Sequence, residues 1–217
     1  RPSNLLIALY LLLADTNSLG DIKDRVLLVL RNKGLLILLS ITFVVGLLPQ
    51  LLYWHAVTGN YIVYSYGVAG QGFNWASPAL LKVLFSPQNG WLIYNPIMIL
   101  SLVGLGFTLR KGIHNSYAII TIMLITYYIF SSWWAWWFGA AYGHRAFIEY
   151  YALLSIPLAY SVHRALSLNR KRLKLTVAAL ACLAIYVNMY MCFLYNPPWD
   201  GPEWGWDDYA NILKVIF

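Results

Sequence analysis

Long apolar runs alternate with short polar segments along this chain, and the pattern predicts helices that cross a membrane. Five runs approach the roughly 20 residues that a helix needs to cross a bilayer core. They are Leu35–Tyr53, Trp91–Leu109, Tyr117–Trp134, Phe147–Val162 and Leu175–Tyr195. A shorter run, Leu5–Ala14, predicts a partial span of roughly 15 Å. The predicted fold is therefore all-α: a polytopic transmembrane helical bundle with about five full spans plus one partial N-terminal span.

The basic residues between these runs predict which side of the membrane each loop faces. Four, two and five lysines or arginines lie in residues 15–34, 110–116 and 163–174, against one each in 54–90, 135–146 and 196–217. Because cytoplasmic loops carry the excess of such residues, the first three segments are predicted to face the cytoplasm. Residues 54–90 then form a long extracytoplasmic loop, and residues 196–217 form an extracytoplasmic tail.

Two short helices are predicted outside the spans. In the long extracytoplasmic loop, Ser77 can cap a helix and Pro78 suits its first position, so Ala79–Phe85 is expected to be a short interfacial helix. On the cytoplasmic side, Asp21–Lys33 fits two interpretations equally well. It is either an amphipathic helix lying on the membrane face or a solvated linker that extends the next span.

Composition excludes two other classes of protein. The chain is 60% apolar and 11% charged, whereas globular proteins average roughly 45–50% and about 25%. So much apolar surface excludes both a soluble domain and a disordered chain. The net charge of +7 lies in short loops rather than on a basic stripe, so no nucleic-acid partner is expected. We expect a single transmembrane domain over residues 1–217 that is the C-terminal part of a longer protein.

Metal and disulfide chemistry receive little support. Cys182 and Cys192 lie ten residues apart in the last run, too far to bridge within a helix, and are expected to be buried thiols. No spacing typical of metal ligands occurs, so no metal site is predicted. The acidic tail residues Asp200, Glu203, Asp207 and Asp208 are spaced like loop and cap residues rather than a cation cage. Asp207 is expected to cap a final helix, Asp208–Phe217.

The ten tryptophans all lie in or beside the predicted outward regions. Tryptophan anchors helices at the lipid headgroups, but its flat ring also stacks on sugars and lines pockets. An interfacial belt and a binding surface are equally good interpretations, and they are compatible with each other.

Arg145 is the strongest candidate for binding an anion. It is predicted to lie at the outward end of a span, where a guanidinium and free helix amides together suit a phosphate. Gly143 would let the backbone approach that anion, and His144 could act as an acid, a base or a donor. Glu149 is the only acidic residue in a predicted complete span. It fits a local ion pair with Arg145 as well as it fits a functional group.

Three segments resemble bacterial membrane glycosyltransferases of the GT-C fold, the dolichyl-phosphate-mannose-protein mannosyltransferase-like group. Arg1–Asn4 is similar to their RPT/RPS-N stretch, Leu84–Pro96 to their LFSPxxGLxxxxP segment and Tyr142–Phe147 to their YGGRF signature. This sequence departs from the signature at His144, where the family often has glycine. The order and the predicted sidedness of the three segments add to the resemblance, which covers the chain from its start to about Pro157.

The resemblance implies transfer of a sugar from a polyprenyl-phosphate donor to an acceptor at the extracytoplasmic face of a bacterial inner membrane. Donor-phosphate binding is expected from Arg145, His144 and Gly143. Residues expected to shape the loop and pocket are Ser86, Pro87, Gly90, Tyr142 and Trp137. The family's catalytic carboxylate lies in a first outward loop that this sequence lacks, so no catalytic residue is assigned. No cofactor is certain, and a divalent cation in the full-length protein is left open.

A second hypothesis is a non-catalytic integral membrane subunit. In that case the aromatic outer face would bind a partner protein in an envelope complex, and membrane lipids would be the other partners. The lack of the catalytic loop favours this alternative. A transporter is less well supported, because no charged residue is predicted at mid-bilayer.

Overall fold

The protein is all-helical, as predicted. A computed structural model describes residues 2–16, 18–63, 71–113, 115–139, 141–196, 201 and 203–217, and these residues form no β-strand. Arg1 of the first resemblance segment, and Asp200 of the acidic tail, therefore lie outside the described residues. The chain divides into two compact units, one of Arg1–Ala14 with Phe73–Phe217 and one of Asp15–Gly72.

The helix bounds follow in chain order. The α-helices are α1 (Leu9–Leu13), α2 (Leu19–Arg31), α3 (Lys33–Thr58), α4 (Leu80–Phe85), α5 (Trp91–Tyr94), α6 (Met98–Arg110), α7 (Ser116–Ser132), α8 (Tyr151–Leu166), α9 (Lys171–Leu194) and α10 (Trp206–Ile216). Two 3₁₀ helices, Pro2–Ala8 and Arg145–Tyr150, precede α1 and α8.

The unit of residues 15–72 contains α2 and α3. Ser18 Oγ accepts a hydrogen bond from the Asp21 amide, and the Asp21 carboxylate accepts one from the Ser18 amide, so α2 begins with a capping box. Asn32 ends α2, and its Oδ1 caps α3 by accepting from the Leu35 amide at 3.0 Å. Residues 21–33 are thus mainly a separate helix, and the interpretation as an extension of the next span is wrong. Its placement on a membrane face stays a prediction.

Two helices are long and apolar enough to cross a bilayer by length and composition. These are α3, with 26 residues, and α9, with 24 residues, or roughly 39 and 36 Å of helix. No residue of α3 is buried, and in α9 only Met191 is. A core helix of a soluble protein would bury a wide apolar stripe instead. Both cysteines are exposed on α9, so the expectation of buried thiols is wrong; neither is in a disulfide.

The other predicted spans are shorter or interrupted. Trp91–Leu109 is not one helix, because it breaks at Asn95 between α5 and α6. In a continuous helix the Met98 amide would donate to the Tyr94 carbonyl, but it donates to the Asn95 carbonyl at 3.0 Å. Phe147–Val162 also begins differently, since its first turns belong to the 3₁₀ helix Arg145–Tyr150. By contrast, α8 continues through Pro157.

Two predicted helix caps are wrong, although both helices form. Helix α4 starts at Leu80, and the amide of its N-terminal flanking residue, Ala79, donates to the Ser131 carbonyl at 2.7 Å. The end of α7 therefore takes the place that was expected for Ser77. Helix α10 starts at Trp206, and Asp208 rather than Asp207 caps it, because its carboxylate accepts from the Gly205 amide at 2.9 Å.

Helices α6 and α8 make the closest helix–helix contact in the larger unit. A Cβ on Gly104 would lie 2.0 Å from the Pro157 carbonyl oxygen, so only glycine allows this approach. Two hydroxyls join the helices on either side of it: Ser101 donates to the Leu154 carbonyl at 2.6 Å, and Ser161 donates to the Leu100 carbonyl at 2.7 Å. Small residues that permit close backbones and interhelical hydrogen bonds are typical of helix pairs in membranes.

A hydrophobic core extends this pair to the neighbouring helices. Its buried members come from α4, α5, α6, α7, the second 3₁₀ helix and α8, and include Val83, Trp91, Leu105, Ile119, Ile122, Phe130, Phe147 and Leu154. Trp91 stacks on Phe147 with ring centroids 4.3 Å apart. The helices therefore hold the loops that precede α5 and α8 in fixed positions.

Gly104→Ala tests the α6–α8 contact. We expect the added methyl group to force the helices apart and lower stability by about 1–3 kcal/mol, measured as the thermal midpoint of the protein in detergent. Gly106→Ala is the matched control, because a Cβ on that residue of the same helix meets nothing within 4 Å. It should leave stability unchanged or raise it slightly. Equal effects of the two substitutions would contradict the close contact.

Candidate functional site

Two of the three segments that resemble the glycosyltransferases, Leu84–Pro96 and Tyr142–Phe147, meet at one end of the larger unit. The loop Ser86–Gly90 leads into α5, and the turn Tyr142–Arg145 leads into α8 through its 3₁₀ helix. Gly143 lies against the first segment, since a Cβ there would be 3.0 Å from Asn95 Nδ2 and 3.2 Å from Tyr94 Cβ. Asn89 Nδ2 donates to the Trp137 carbonyl at 3.1 Å, which is a second link between the two regions.

The Ser86–Gly90 loop has a conformation that its residue types enforce. Ser86 Oγ accepts from the Gln88 amide at 3.1 Å, which closes a tight turn. Asn89 has φ +56°, a left-handed conformation that asparagine tolerates. A Cβ on Gly90 would lie 2.4 Å from the Ser86 carbonyl oxygen, so any larger residue would displace the loop. The turn at Ser86 and the close approach at Gly90 therefore fix the shape of this loop, and the role of Ser86, Pro87 and Gly90 in a donor pocket stays a prediction.

Tyr94 is the centre of a hydrogen-bond network that joins four parts of the chain. Its hydroxyl donates to the Pro87 carbonyl at 2.6 Å and accepts from Trp204 Nε1 at 3.1 Å. Its carbonyl accepts from the Tyr142 hydroxyl at 3.2 Å and from Asn188 Nδ2 of α9. Because the Tyr94 carbonyl has these partners, it does not need the helical bond from Met98 that the break at Asn95 removes.

The tail is attached to the same network. Gln88 Nε2 donates to the Gly201 carbonyl at 2.8 Å, and the Tyr209 hydroxyl donates to the Ile93 carbonyl at 3.3 Å. Burial, together with nearby ionisable groups, raises the pKa of the Tyr142 hydroxyl, so that side chain acts as a neutral hydrogen-bonding group. Sequence reasoning missed Tyr94 and Asn188. The signal for Asn188 was present, because it is a lone amide in a long apolar run.

His144 faces the protein interior. It is 1% exposed, and its ring lies 4.9 Å from that of Phe138 and 4.8 Å from that of Phe147. Nε2 lies 2.9 Å from the Trp136 carbonyl oxygen, and because a carbonyl can only accept, Nε2 carries the proton. Burial lowers the pKa of His144 from 6.5 to about 4. A neutral imidazole that donates to the Trp136 carbonyl fits these contacts better than the predicted phosphate contact.

Gly143 has a packing role. It is buried with φ +65°, and the space that was expected to admit an anion holds Asn95 and Tyr94 instead. Arg145 is half-buried at the start of the 3₁₀ helix, and its amide donates to the Gly143 carbonyl at 2.9 Å. Glu149 is also half-buried in that helix. A 3₁₀ helix aligns residues three apart, so the α-helical spacing that suggested an Arg145–Glu149 pair is absent, and the ion pair stays a prediction.

A surface groove of about 290 Å³ lies beside the Ser86–Gly90 loop. Its lining residues are Leu81, Lys82, Phe85, Ser86, Pro87, Gln88, Trp136 and Trp206. Of the predicted site residues, it includes Ser86 and Pro87 but not Arg145, His144, Gly143, Gly90, Tyr142 or Trp137. Lys82 is the cation in the groove, with Nζ 5.7 Å from the centroid of the Trp136 ring. Sequence reasoning counted Lys82 only as a loop charge.

Within the part of the chain that the structure describes, no three histidine, cysteine or acidic side chains are placed to hold a metal ion. The chain matches no protein-family model, no curated protein and no solved structure. The resemblance to GT-C glycosyltransferases therefore stays a prediction that depends on the segments quoted above.

The buried His144 makes stability depend on pH. Because its pKa is about 4 in the folded protein and near 6.5 when exposed, the unfolded chain takes up a proton first as the pH falls. We therefore expect stability to decrease between pH 6.5 and pH 4. His144→Gln keeps an N–H donor without a titrating group, so its thermal midpoint should fall less over that range.

The exposed residue His163 provides the control for this measurement. His163→Gln should keep the wild-type dependence of the thermal midpoint on pH. The same pH dependence in wild type and His144→Gln would show that the buried imidazole is not the titrating group.

Proposed function

We propose that this chain is the donor-binding part of a polytopic membrane glycosyltransferase. The enzyme would transfer a sugar from a polyprenyl-phosphate carrier to an acceptor at the extracytoplasmic face of a bacterial inner membrane. One observation carries the proposal. The segments that resemble the family, Leu84–Pro96 and Tyr142–Phe147, lie apart in sequence, yet Gly143 packs on Tyr94 and Asn95 where they meet.

Exposed apolar side chains support placement in a membrane. Helix α3 exposes Ile37, Leu38 and Phe43, each to more than half of its surface, and α9 exposes Leu180 and Phe193 to the same degree. Soluble monomers rarely expose contiguous apolar surface of this kind. We propose that α5 and α6 together, and α7, α8 and α9, cross the membrane with the Tyr94 network at the extracytoplasmic end, as the distribution of basic residues predicts.

In the proposed reaction an acceptor hydroxyl attacks the anomeric carbon of the sugar, and the bond from that carbon to the phosphate oxygen breaks. Arg145 would bind the phosphate and stabilise the negative charge that develops as it leaves. A guanidinium suits this role because its planar fork can donate two hydrogen bonds to one phosphate. The carboxylate that takes up the hydroxyl proton would come from the first outward loop, where the resemblance to the family places it.

Arg145→Gln tests this role directly by lipid binding. Purified protein in neutral detergent should bind undecaprenyl phosphate at least about tenfold more weakly after the substitution, because a charge-assisted contact is lost. Arg110→Gln is the matched control, since Arg110 is an exposed arginine in the last turn of α6, and its affinity should be unchanged. Wild-type affinity in a correctly folded Arg145→Gln protein would overturn the role.

A non-catalytic, partner-binding subunit is the second candidate, and a row of exposed aromatic rings favours it. Phe73 stacks on Trp75 with centroids 4.6 Å apart, and Trp75 stacks on Tyr128 at 5.8 Å. Each of the three side chains is more than 40% exposed. If this function is correct, a stoichiometric protein partner should co-purify with wild type and be lost with Trp75→Ala. In that case undecaprenyl phosphate should bind neither wild type nor the Trp75→Ala protein.

A further inference from the structure

We propose that the groove beside α4 is a second anion site that binds the phosphate of an anionic phospholipid. The groove shares Ser86 and Pro87 with the loop expected to shape the donor pocket, but Arg145, the donor-phosphate contact proposed above, does not line it. The inference shares with the proposed function only the placement of this end of the unit at the membrane surface. It would stand if the chain were a non-catalytic membrane subunit.

The charge of the groove favours an anion. Among the eight described residues that line it, Lys82 is the only charged one, and no carboxylate opposes it. Ser86 adds a hydroxyl, which accepts from the Gln88 amide and keeps its own proton for a ligand. A phosphate in the groove would therefore meet an ammonium and a hydroxyl without a competing negative charge.

The rim of the groove favours a ligand that also has an apolar part. Leu81 is 73% exposed, Trp206 is 54% exposed and Phe85 is 47% exposed. A free phosphate ion would leave these side chains in water, whereas the upper acyl chains and glycerol of a phospholipid would cover them. Lysine and tryptophan both anchor membrane proteins at the level of the lipid headgroups.

The walls of the groove are held in place by the rest of the unit. Trp136 packs on the hydrophobic core, and its carbonyl accepts from His144 Nε2. Helix α4 is held by the Tyr127 hydroxyl, which donates to the Leu80 carbonyl at 2.8 Å. Trp206 belongs to α10, which is attached through Tyr209 to α5. A site whose walls are already ordered loses little conformational entropy when a lipid binds.

Native mass spectrometry of the protein in neutral detergent can test the site. With phosphatidylglycerol and phosphatidylcholine offered in equal amounts, wild type should retain phosphatidylglycerol preferentially. Lys82→Met should reduce that retention about tenfold, because it removes the charge and keeps much of the side-chain length. Trp206→Ala should also weaken it, because it removes part of the apolar rim.

Lys214→Met is the matched control, because Lys214 is an exposed lysine of α10 that does not line the groove. It should retain phosphatidylglycerol like wild type. Equal retention of the two lipids by wild type, or no effect of Lys82→Met, would overturn the site. If Trp206→Ala has no effect and millimolar inorganic phosphate displaces the lipid, the groove is a simple phosphate site and the lipid proposal is wrong.

The undecaprenyl phosphate measurement separates this inference from the proposed function. Lys82→Met should leave binding of undecaprenyl phosphate unchanged, and Arg145→Gln should leave retention of phosphatidylglycerol unchanged. If Lys82→Met weakens both lipids equally, the groove is not a separate site and the inference fails.

Discussion

The close approach of α6 and α8 at Gly104 is the constraint on which the rest of the larger unit depends. The Ser86–Gly90 loop reaches α6 through α5, and the turn Tyr142–Arg145 reaches α8 through a 3₁₀ helix, so the spacing of the two helices constrains the spacing of the two loops. The serine hydroxyls of Ser101 and Ser161 fix the register of the pair as well as its spacing, because each donates to one particular carbonyl of the other helix. The α6–α8 contact therefore bears on the position of Arg145, which begins the 3₁₀ helix before α8.

At this end of the larger unit, polar and glycine residues make contacts within the protein that hold its loops together. His144 and Gly143 have the residue types expected of an anion site, yet one is buried against a carbonyl and the other against Asn95. Buried polar groups need partners, and His144 Nε2 and Asn89 Nδ2 find theirs in the Trp136 and Trp137 carbonyls. Arg145 and Lys82 are cationic side chains at this end that are not fully buried.

The sequence predicted the elements whose formation depends on local properties. Helices α3 and α9 follow continuous apolar runs, and their ends lie within about five residues of the prediction. The break at Asn95 directly precedes Pro96, which lacks an amide and disfavours a helical residue before it. The contact that satisfies the Tyr94 carbonyl at the break, from Asn188 of another helix, depends on tertiary packing. Pro49 and Pro157 remain within helices, so proline alone does not identify a break. The inward turn of His144 and the place of Lys82 in a groove likewise depend on tertiary packing.

The two cations differ in ways that suit them to different phosphates. Arg145 is half-buried at the start of a 3₁₀ helix, whereas Lys82 is exposed on α4. A guanidinium can donate hydrogen bonds to two oxygens of a terminal phosphate at once, whereas an ammonium acts as a point charge that can pair with one oxygen. The sugar donor and a phospholipid are both phosphodiesters, but only the donor becomes a terminal phosphate, when its bond to the sugar breaks, and a guanidinium suits the charge that develops there. A phospholipid that is only bound needs no more than a single charge beside an apolar rim. A membrane lipid at Lys82 could then be bound without competing for the guanidinium that the donor would require.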